Sequence, residues 1–245
     1  MIRTSALGRT WFAATALVVV IAIVIQAVLA ARGAPYSVFD TAVERVANIL
    51  AFFTILSNLL VGGTCLALAI RRSPPARLLR VLYLDAVLGI AVTGIVYNLV
   101  LAPLYDLSGW SWFANLLLHV VVPIMAVLGW LLFGPRGLVD TPTVLLATIY
   151  PIAWLAFTLI RGAVVDWSPF PAWYPYPFVD AGQLGYARVT LNCLVIAVLF
   201  LGLAFGAKAL DRFLQRRFAD APQTQDPQTQ DSQPQDPQPQ GNAGA

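Results

Sequence analysis

Six apolar runs, each long enough to cross a lipid bilayer, constrain this chain to a membrane fold. A spanning α-helix needs about 20 mostly apolar residues. Only 11% of the 245 residues are charged, whereas soluble domains contain about 25%, so we expect an all-α transmembrane bundle and no nucleic-acid partner. The runs cover residues 11–31, 46–70, 81–103, 112–133, 143–160 and 185–207.

The run at 11–31 follows two arginines, so it could be either a signal peptide or a first membrane helix. Small residues near position 30 offer a cleavage site. The apolar core of a cleaved signal is about 7–15 residues long, however, and this run is longer. We therefore predict a retained first helix and six spans in total.

Basic residues divide unevenly between the two sides of a six-span chain. An excess of Lys and Arg marks the cytoplasmic side, so both termini are predicted to lie in the cytoplasm, in a multi-pass protein of the cell membrane. Of the 15 basic residues, eleven fall on the predicted inner side, namely Arg3, Arg9, Arg71, Arg72, Arg77, Arg80, Arg136, Lys208, Arg212, Arg216 and Arg217, and four on the outer side, namely Arg32, Arg45, Arg161 and Arg188.

After residue 218 the composition changes to a tail rich in Gln, Pro and Asp. Low-complexity polar sequence of this kind cannot bury a core. We predict a six-helix transmembrane domain at 1–218 and a disordered cytoplasmic tail at 219–245.

The fourth run carries the only histidine of the chain, His119. Asn115 lies one turn before it and Pro123 one turn after it. Because proline has no N–H to donate to the carbonyl of His119, the helix is expected to loosen there. A titratable side chain inside a membrane helix is a functional hypothesis by default. The alternative is a histidine that hydrogen-bonds a neighbouring helix and only holds the bundle together.

Polar side chains from five runs fall at a similar depth in the predicted outer half of the bundle. Thr54 lies about eight residues, or ~12 Å, into the second run, close to the expected depth of His119. Alone, such a threonine often bonds back to a carbonyl one turn earlier. Asp85 lies apart from this group, near the cytoplasmic end of the third run, and is expected to form a surface-level ion pair or to extend its carboxylate to the membrane surface. The group comprises Thr54, Ser57, Asn58, Tyr97, Asn98, Asn115, His119, Arg161 and Asn192.

The outer connection at 161–188 interleaves aromatic residues with four prolines. Prolines disfavour a helix, and Trp and Tyr favour the headgroup level of a membrane. The connection is therefore either an interfacial aromatic belt or a lid over whatever the helices enclose.

Three segments carry a family resemblance: AFFTILSNLL around Thr54, ANLLLHVVVPI around His119, and WYPYPFVD at 173–180. In this order they resemble the androgen-induced membrane proteins of animals and their bacterial six-helix relatives. The animal members are threonine hydrolases that cleave fatty acid esters of hydroxy fatty acids. The resemblance implies that Thr54 and His119 are the catalytic pair.

Two functions remain open from the sequence. In the first, an intramembrane hydrolase cleaves an amphiphilic lipid ester with Thr54 and His119, and no cofactor or metal is expected. In the second, a non-catalytic membrane protein binds a lipid or a partner helix through the polar group. The oligomeric state is not determined by the sequence. The residues predicted to bind substrate or stabilise an oxyanion are Asn58, Asn98, Asn115, Arg161 and Asn192.

Overall fold

The computed structural model describes residues 5–33, 38–71, 75–165 and 173–219. Within these residues all regular structure is helical, and no strand occurs. The predicted tail disorder concerns residues that lie almost entirely outside the described ranges. The α-helices are α1 (Ala6–Arg32), α2 (Ala42–Asn48), α3 (Phe53–Ile70), α4 (Arg77–Val96), α5 (Gly109–Leu116), α6 (Val122–Phe133), α7 (Thr141–Ala147), α8 (Ile149–Val164) and α9 (Ala181–Ala219).

Six helical segments are long and apolar enough to cross a membrane, which confirms the predicted all-α bundle of spans. Several combine two helices: α4 continues through a π-helical turn, Tyr97–Leu101, and α5 joins α6 through another, Leu117–Val121. The six spans are Ala6–Arg32, Phe53–Ile70, Arg77–Leu104, Gly109–Phe133, Thr141–Val164 and Ala181–Arg217.

The second and third spans form the centre of the bundle. Half of the 18-residue second span is buried inside the protein, and so is 44% of an 18-residue apolar stretch of the third span, whereas only 17% of such a stretch of the sixth span is buried. The first span packs along α3 and contributes Phe12 and Val19 to the core that α3 and α4 build. Its place in this core supports the prediction that residues 11–31 form a helix of the bundle.

The second apolar run is not one continuous helix, contrary to the prediction from the sequence. Phe52 has an extended backbone conformation (φ −81°, ψ 128°), which separates the short helices before it from α3. An aromatic side chain of the fifth span satisfies a carbonyl at this break: Trp154 Nε1 donates to Ala51 O at 2.9 Å. Thr54 therefore lies in the first turn of its span and not two turns inside it.

Asp85 is buried, so the prediction of a surface ion pair or of a carboxylate that extends to the membrane surface is wrong. Its side chain is only 3% exposed, and its Oδ1 has no hydrogen-bond partner among the residues that the structure describes. The reason is that α4 packs against both α3 and α7, which cover this side of α4.

A second buried carboxylate, Asp211 on α9, binds the connection between the fourth and fifth spans. Its side chain is 1% exposed. It accepts hydrogen bonds from the backbone N–H groups of Gly137 at 3.1 Å and Val139 at 3.0 Å. Gly137 has a positive φ of 73°, a conformation that favours glycine.

Replacing Asp211 with alanine should destabilise the bundle, because two backbone donors lose a charged acceptor. Hydrogen bonds to charged groups contribute about 1.5–3 kcal/mol each, so we expect the free energy of unfolding in detergent to fall by about 3 kcal/mol. Arg212→Ala changes the adjacent, exposed residue and should leave the unfolding free energy unchanged. Equal stability of the two variants would contradict this role of Asp211.

Candidate active site

Thr54 stands at the N-terminus of α3, where the backbone N–H groups have no partner within the helix. The break at Phe52 places it there. Its side chain is nevertheless only 7% exposed, because the segment 173–179 packs over this end of α3. Tyr176 from that segment receives the Thr54 backbone N–H on its hydroxyl oxygen at 3.1 Å. The aromatic connection thus covers the site at residues 173–179; residues 166–172 lie outside the described ranges.

His119 lies in the π-helical turn Leu117–Val121, directly before Pro123. In this turn the N–H of Val122 bonds the carbonyl of Leu117, five residues earlier. The same register would pair residue 123 with Leu118, and proline has no N–H to offer. The predicted loosening of the helix at the proline is therefore present, as a widened turn.

Side-chain amides from the two neighbouring spans reach the carbonyls of this turn. Asn58 Nδ2 donates to Leu118 O at 3.3 Å and to Thr54 O at 2.8 Å. Asn98 Nδ2 donates to His119 O at 3.2 Å. These bonds attach the turn to α3 and to the third span, and they fix the height of His119 relative to Thr54.

A close approach of the third and fourth spans accompanies these bonds. A Cβ atom on Gly94 would lie 3.1 Å from Cβ of Pro123 and 3.4 Å from the His119 carbonyl oxygen. Contacts this short are rarely tolerated, so a side chain at position 94 would push the proline turn away. The glycine thereby permits Asn98, one turn further on, to reach the His119 carbonyl.

The structure brings Thr54 and His119 together, as the sequence predicted. Thr54 Oγ1 lies 3.3 Å from His119 Nε2, a distance suited to a nucleophile and its base in the absence of substrate. The other ring nitrogen, Nδ1, lies 3.1 Å from the backbone carbonyl oxygen of Asn115. A carbonyl can only accept, so Nδ1 carries the proton and Nε2 is free to accept the hydrogen of Thr54.

The imidazole plane is also held by stacking. The ring of Tyr97 lies nearly parallel to that of His119, with ring centroids 3.8 Å apart and an angle of 23° between the planes. Tyr97 belongs to the π-helical turn of the third span, so the two widened turns face each other across the site. Two contacts therefore orient the His119 ring, namely the hydrogen bond from Nδ1 to the Asn115 carbonyl and the stacking on Tyr97.

The predicted substrate-binding residues have different positions. Asn115 lines the cavity next to His119. The amides of Asn58 and Asn98 donate to backbone carbonyls. Arg161 Nη2 donates to the side chain of Asn48 at 2.9 Å, and Asn192 Nδ2 donates to Phe178 O at 2.9 Å. Of these five residues, Asn58 and Asn98 therefore bond the backbone of the pair and Asn115 lines the cavity beside it. Arg161 and Asn192 bond other residues.

Two cavities meet at Thr54. The larger, about 670 Å³, lies at the end of the bundle where α1 ends and α5 begins, and polar side chains including His119 and Asn115 face it. The smaller, about 210 Å³, is lined almost entirely by apolar side chains of the third, fifth and sixth spans. Four residues line both cavities, namely Thr54, Tyr97, Leu101 and Tyr176.

The smaller cavity reaches the lipid-facing surface of the bundle. Two of its lining residues, Ile152 on α8 and Leu201 on α9, are 63% and 39% exposed. In a membrane this surface faces hydrocarbon. An apolar chain could therefore enter from the side, between the fifth and sixth spans, and end at Thr54.

Tyr176 is a member of the site that reasoning from the sequence did not single out. Its hydroxyl lies 3.2 Å from Thr54 Oγ1. The sequence signal was the aromatic and proline-rich stretch after residue 166, which allowed either an interfacial belt or a lid and did not indicate which of its rings reaches the pair. That choice depends on how the connection crosses the bundle.

Comparisons of the chain with protein-family models, with curated proteins and with solved structures find no match.

The hydrogen-bond assignment predicts a neutral imidazole with its proton on Nδ1. Because the chain has a single histidine, ¹⁵N-histidine labelling gives one pair of ring signals without any assignment step. We expect a protonated Nδ1 and an unprotonated, hydrogen-bonded Nε2 at neutral pH in detergent micelles. Thr54→Ala should move the Nε2 signal, and Thr64→Ala, a buried threonine of the same helix that bonds Leu60 O, should not. A proton on Nε2 would contradict the assignment.

Proposed function

We propose that this protein is an intramembrane hydrolase of a lipid ester, with Thr54 as nucleophile and His119 as general base. The observation that carries the proposal is the 3.3 Å approach of Thr54 Oγ1 to the acceptor nitrogen of His119, at a position that lines both the smaller apolar cavity and the larger cavity with polar residues in its wall. A nucleophilic hydroxyl, a base within reach and a third group that orients the base together form the arrangement used for acyl transfer.

The proposed reaction has two stages. First, Thr54 Oγ1 bonds to the carbonyl carbon of the ester while its proton passes to His119 Nε2. The tetrahedral intermediate then collapses, the alcohol leaves with that proton, and the acyl group stays on Thr54. In the second stage His119 removes a proton from a water molecule that attacks the acyl-threonine. This step releases the fatty acid and restores both side chains.

In both stages the carbonyl of Asn115 stabilises the imidazolium, because the hydrogen bond from Nδ1 strengthens when the ring becomes charged. Asn115 lines the same cavity as Thr54 and His119. It is therefore the predicted residue best placed to donate to the oxyanion, a contribution that is large in a site poor in water.

The two cavities favour an amphiphilic substrate. An acyl chain fits the apolar cavity that opens between the fifth and sixth spans, and the polar part of the molecule fits the larger cavity. The ester group would then lie at Thr54, which lines both. This agrees with what the resemblance to the androgen-induced membrane proteins implies, namely esters of long-chain acids.

Loss of either member of the pair should abolish hydrolysis, and the two losses should not add, because the residues act as one unit. We expect Thr54→Ala, His119→Ala and the double variant all to hydrolyse 4-methylumbelliferyl oleate at the rate of the protein-free control. Thr64→Ala is the matched control and should keep the wild-type rate. A fluorophosphonate probe should label Thr54 in the wild type, with the site mapped by mass spectrometry.

Wild-type rates in Thr54→Ala would rule out the proposed hydrolase. The non-catalytic alternative predicts a different pattern: no variant affects hydrolysis, and His119→Ala lowers the free energy of unfolding by about 0.6 kcal/mol, the average for hydrogen bonds between membrane helices. Measuring both quantities on the same preparations separates the two functions.

We further propose that the protein resides in the cell membrane of a bacterium with both termini in the cytoplasm. Six helices are long and apolar enough to cross, and six crossings would put the two ends of the chain on the same side. The division of eleven basic residues against four favours the cytoplasm for that side. The larger cavity and the Thr54–His119 pair would then lie toward the outer leaflet.

Cysteine labelling tests this orientation. In a background with Cys65→Ala and Cys193→Ala, Asp220→Cys should react with a membrane-impermeant maleimide only after the cells are permeabilised. Asp106→Cys, at an exposed position between the third and fourth spans, is the matched control and should react in intact cells. The reverse pattern would invert the orientation.

A further inference from the structure

The hydroxyl group of Tyr176 makes two contacts with a single residue, Thr54. Its oxygen lies 3.1 Å from the Thr54 backbone nitrogen and 3.2 Å from Thr54 Oγ1. Tyr176 itself is only 8% exposed. This buried phenol binds both the backbone and the side chain of the proposed nucleophile. The reaction described above assigns it no role.

The direction of each hydrogen bond follows from the groups that have no choice. The Thr54 N–H can only donate, so the Tyr176 oxygen accepts from it. His119 Nδ1 donates to the Asn115 carbonyl, so Nε2 accepts and receives the single hydrogen of the Thr54 hydroxyl. The oxygen of that hydroxyl then accepts the remaining hydrogen, which belongs to Tyr176.

The result is a one-way series of hydrogen bonds, from the Tyr176 O–H to Thr54 Oγ1, from the Thr54 O–H to His119 Nε2, and from His119 Nδ1–H to the Asn115 carbonyl. We propose that Tyr176 is a positioning residue that acts through Thr54: it holds the threonine hydrogen on the line to His119 and supports negative charge on Oγ1. This inference rests on the proposed function.

The effect of Tyr176 is greatest while the proton is moving. As Oγ1 gives its proton to Nε2, the oxygen takes on alkoxide character and the hydrogen bond that it accepts becomes stronger. Once Oγ1 has bonded to the acyl carbon, that charge has passed to the carbonyl oxygen. Tyr176 keeps its own proton throughout, because burial raises the pKa of its phenol to about 12.

The ring of Tyr176 is held by contacts that do not involve the hydroxyl. It stacks on Phe178 with centroids 5.2 Å apart and meets Phe52 edge-on at 5.6 Å. Trp154 packs against a third side at 5.8 Å. Tyr176→Phe therefore removes one oxygen atom and leaves the ring in its place.

Tyr150 supplies a matched control for Tyr176, because it contacts the same end of α3. Its ring stacks on Phe53 with centroids 5.0 Å apart, and its hydroxyl lies 3.0 Å from Ser57 Oγ. Tyr150 therefore contacts the first turns of α3, as Tyr176 does. Of the two tyrosines, however, only Tyr176 bonds Thr54. Tyr150→Phe thus removes the same atom from a comparable contact.

The experiment compares the two phenylalanine variants with the wild type on 4-methylumbelliferyl oleate in detergent micelles. Removing one preorganised donor to a developing negative charge costs about 100- to 1,000-fold in kcat. We expect that loss in Tyr176→Phe with KM unchanged, and wild-type kcat and KM in Tyr150→Phe. A purely structural role for Tyr176 predicts equal, small effects in both.

The single histidine gives a second readout that needs no turnover. The ¹⁵N signal of His119 Nε2 should move in Tyr176→Phe, because the hydrogen bond that Nε2 accepts is no longer held in line, and should stay in place in Tyr150→Phe. An unchanged signal in Tyr176→Phe overturns the series of hydrogen bonds.

The failures are distinguishable. If Thr54→Ala inactivates the enzyme but Tyr176→Phe keeps the wild-type kcat, the positioning role is wrong and the proposed function stands. If Thr54→Ala hydrolyses the ester at the wild-type rate, the proposed function fails and the positioning role fails with it.

Discussion

A carbonyl group inside a membrane helix needs a hydrogen-bond donor, and Pro123 removes the one that its helix would supply. An unsatisfied group of this kind costs several kcal/mol in hydrocarbon. The fourth span responds with a widened turn, and Asn58 and Asn98 of the neighbouring spans donate to its carbonyls. Three spans are thereby tied together at one height. The position of His119 relative to Thr54 depends on that attachment more than on any contact between the two side chains themselves.

The pair is oriented without any carboxylate among its described contacts. In the familiar acyl-transfer triads an aspartate or glutamate accepts from the imidazole; here the backbone carbonyl of Asn115 does so. A carboxylate taken out of water carries a desolvation penalty of several kcal/mol, and a carbonyl already present in the helix avoids it. The stacked ring of Tyr97 supplies the remaining restraint. This arrangement suits a site that is surrounded by apolar spans.

Apolar run lengths predicted the number and approximate positions of the spans, because the membrane imposes a length on each crossing. The shared end of the bundle predicted that Thr54 and His119 meet, although Thr54 lies nearer the start of its span than the count of apolar residues indicated. The break at Phe52 was not predictable, since the apolar run passes through it without a proline or glycine. Likewise, an amide in a helix looks the same whether it faces a ligand or a carbonyl. The hydrogen-bond partners of Asn58 and the burial of Asp85 both depend on which surface of a neighbouring helix lies opposite. A single sequence does not contain that information.

The contact between Thr54 and Tyr176 joins residues that are 122 positions apart in the chain. A ribosome adds about 5–20 residues per second, so the first turn of α3 is made on the order of 10 s before its partner exists. During synthesis the second span enters the bilayer with that end still lacking the hydroxyl that later accepts its backbone N–H. The cluster of Thr54, His119 and Tyr176 is therefore completed late in synthesis, when the connection between the fifth and sixth spans folds back over the first turn of α3. The arrangement of these three side chains would in this way be absent until the whole bundle has been assembled.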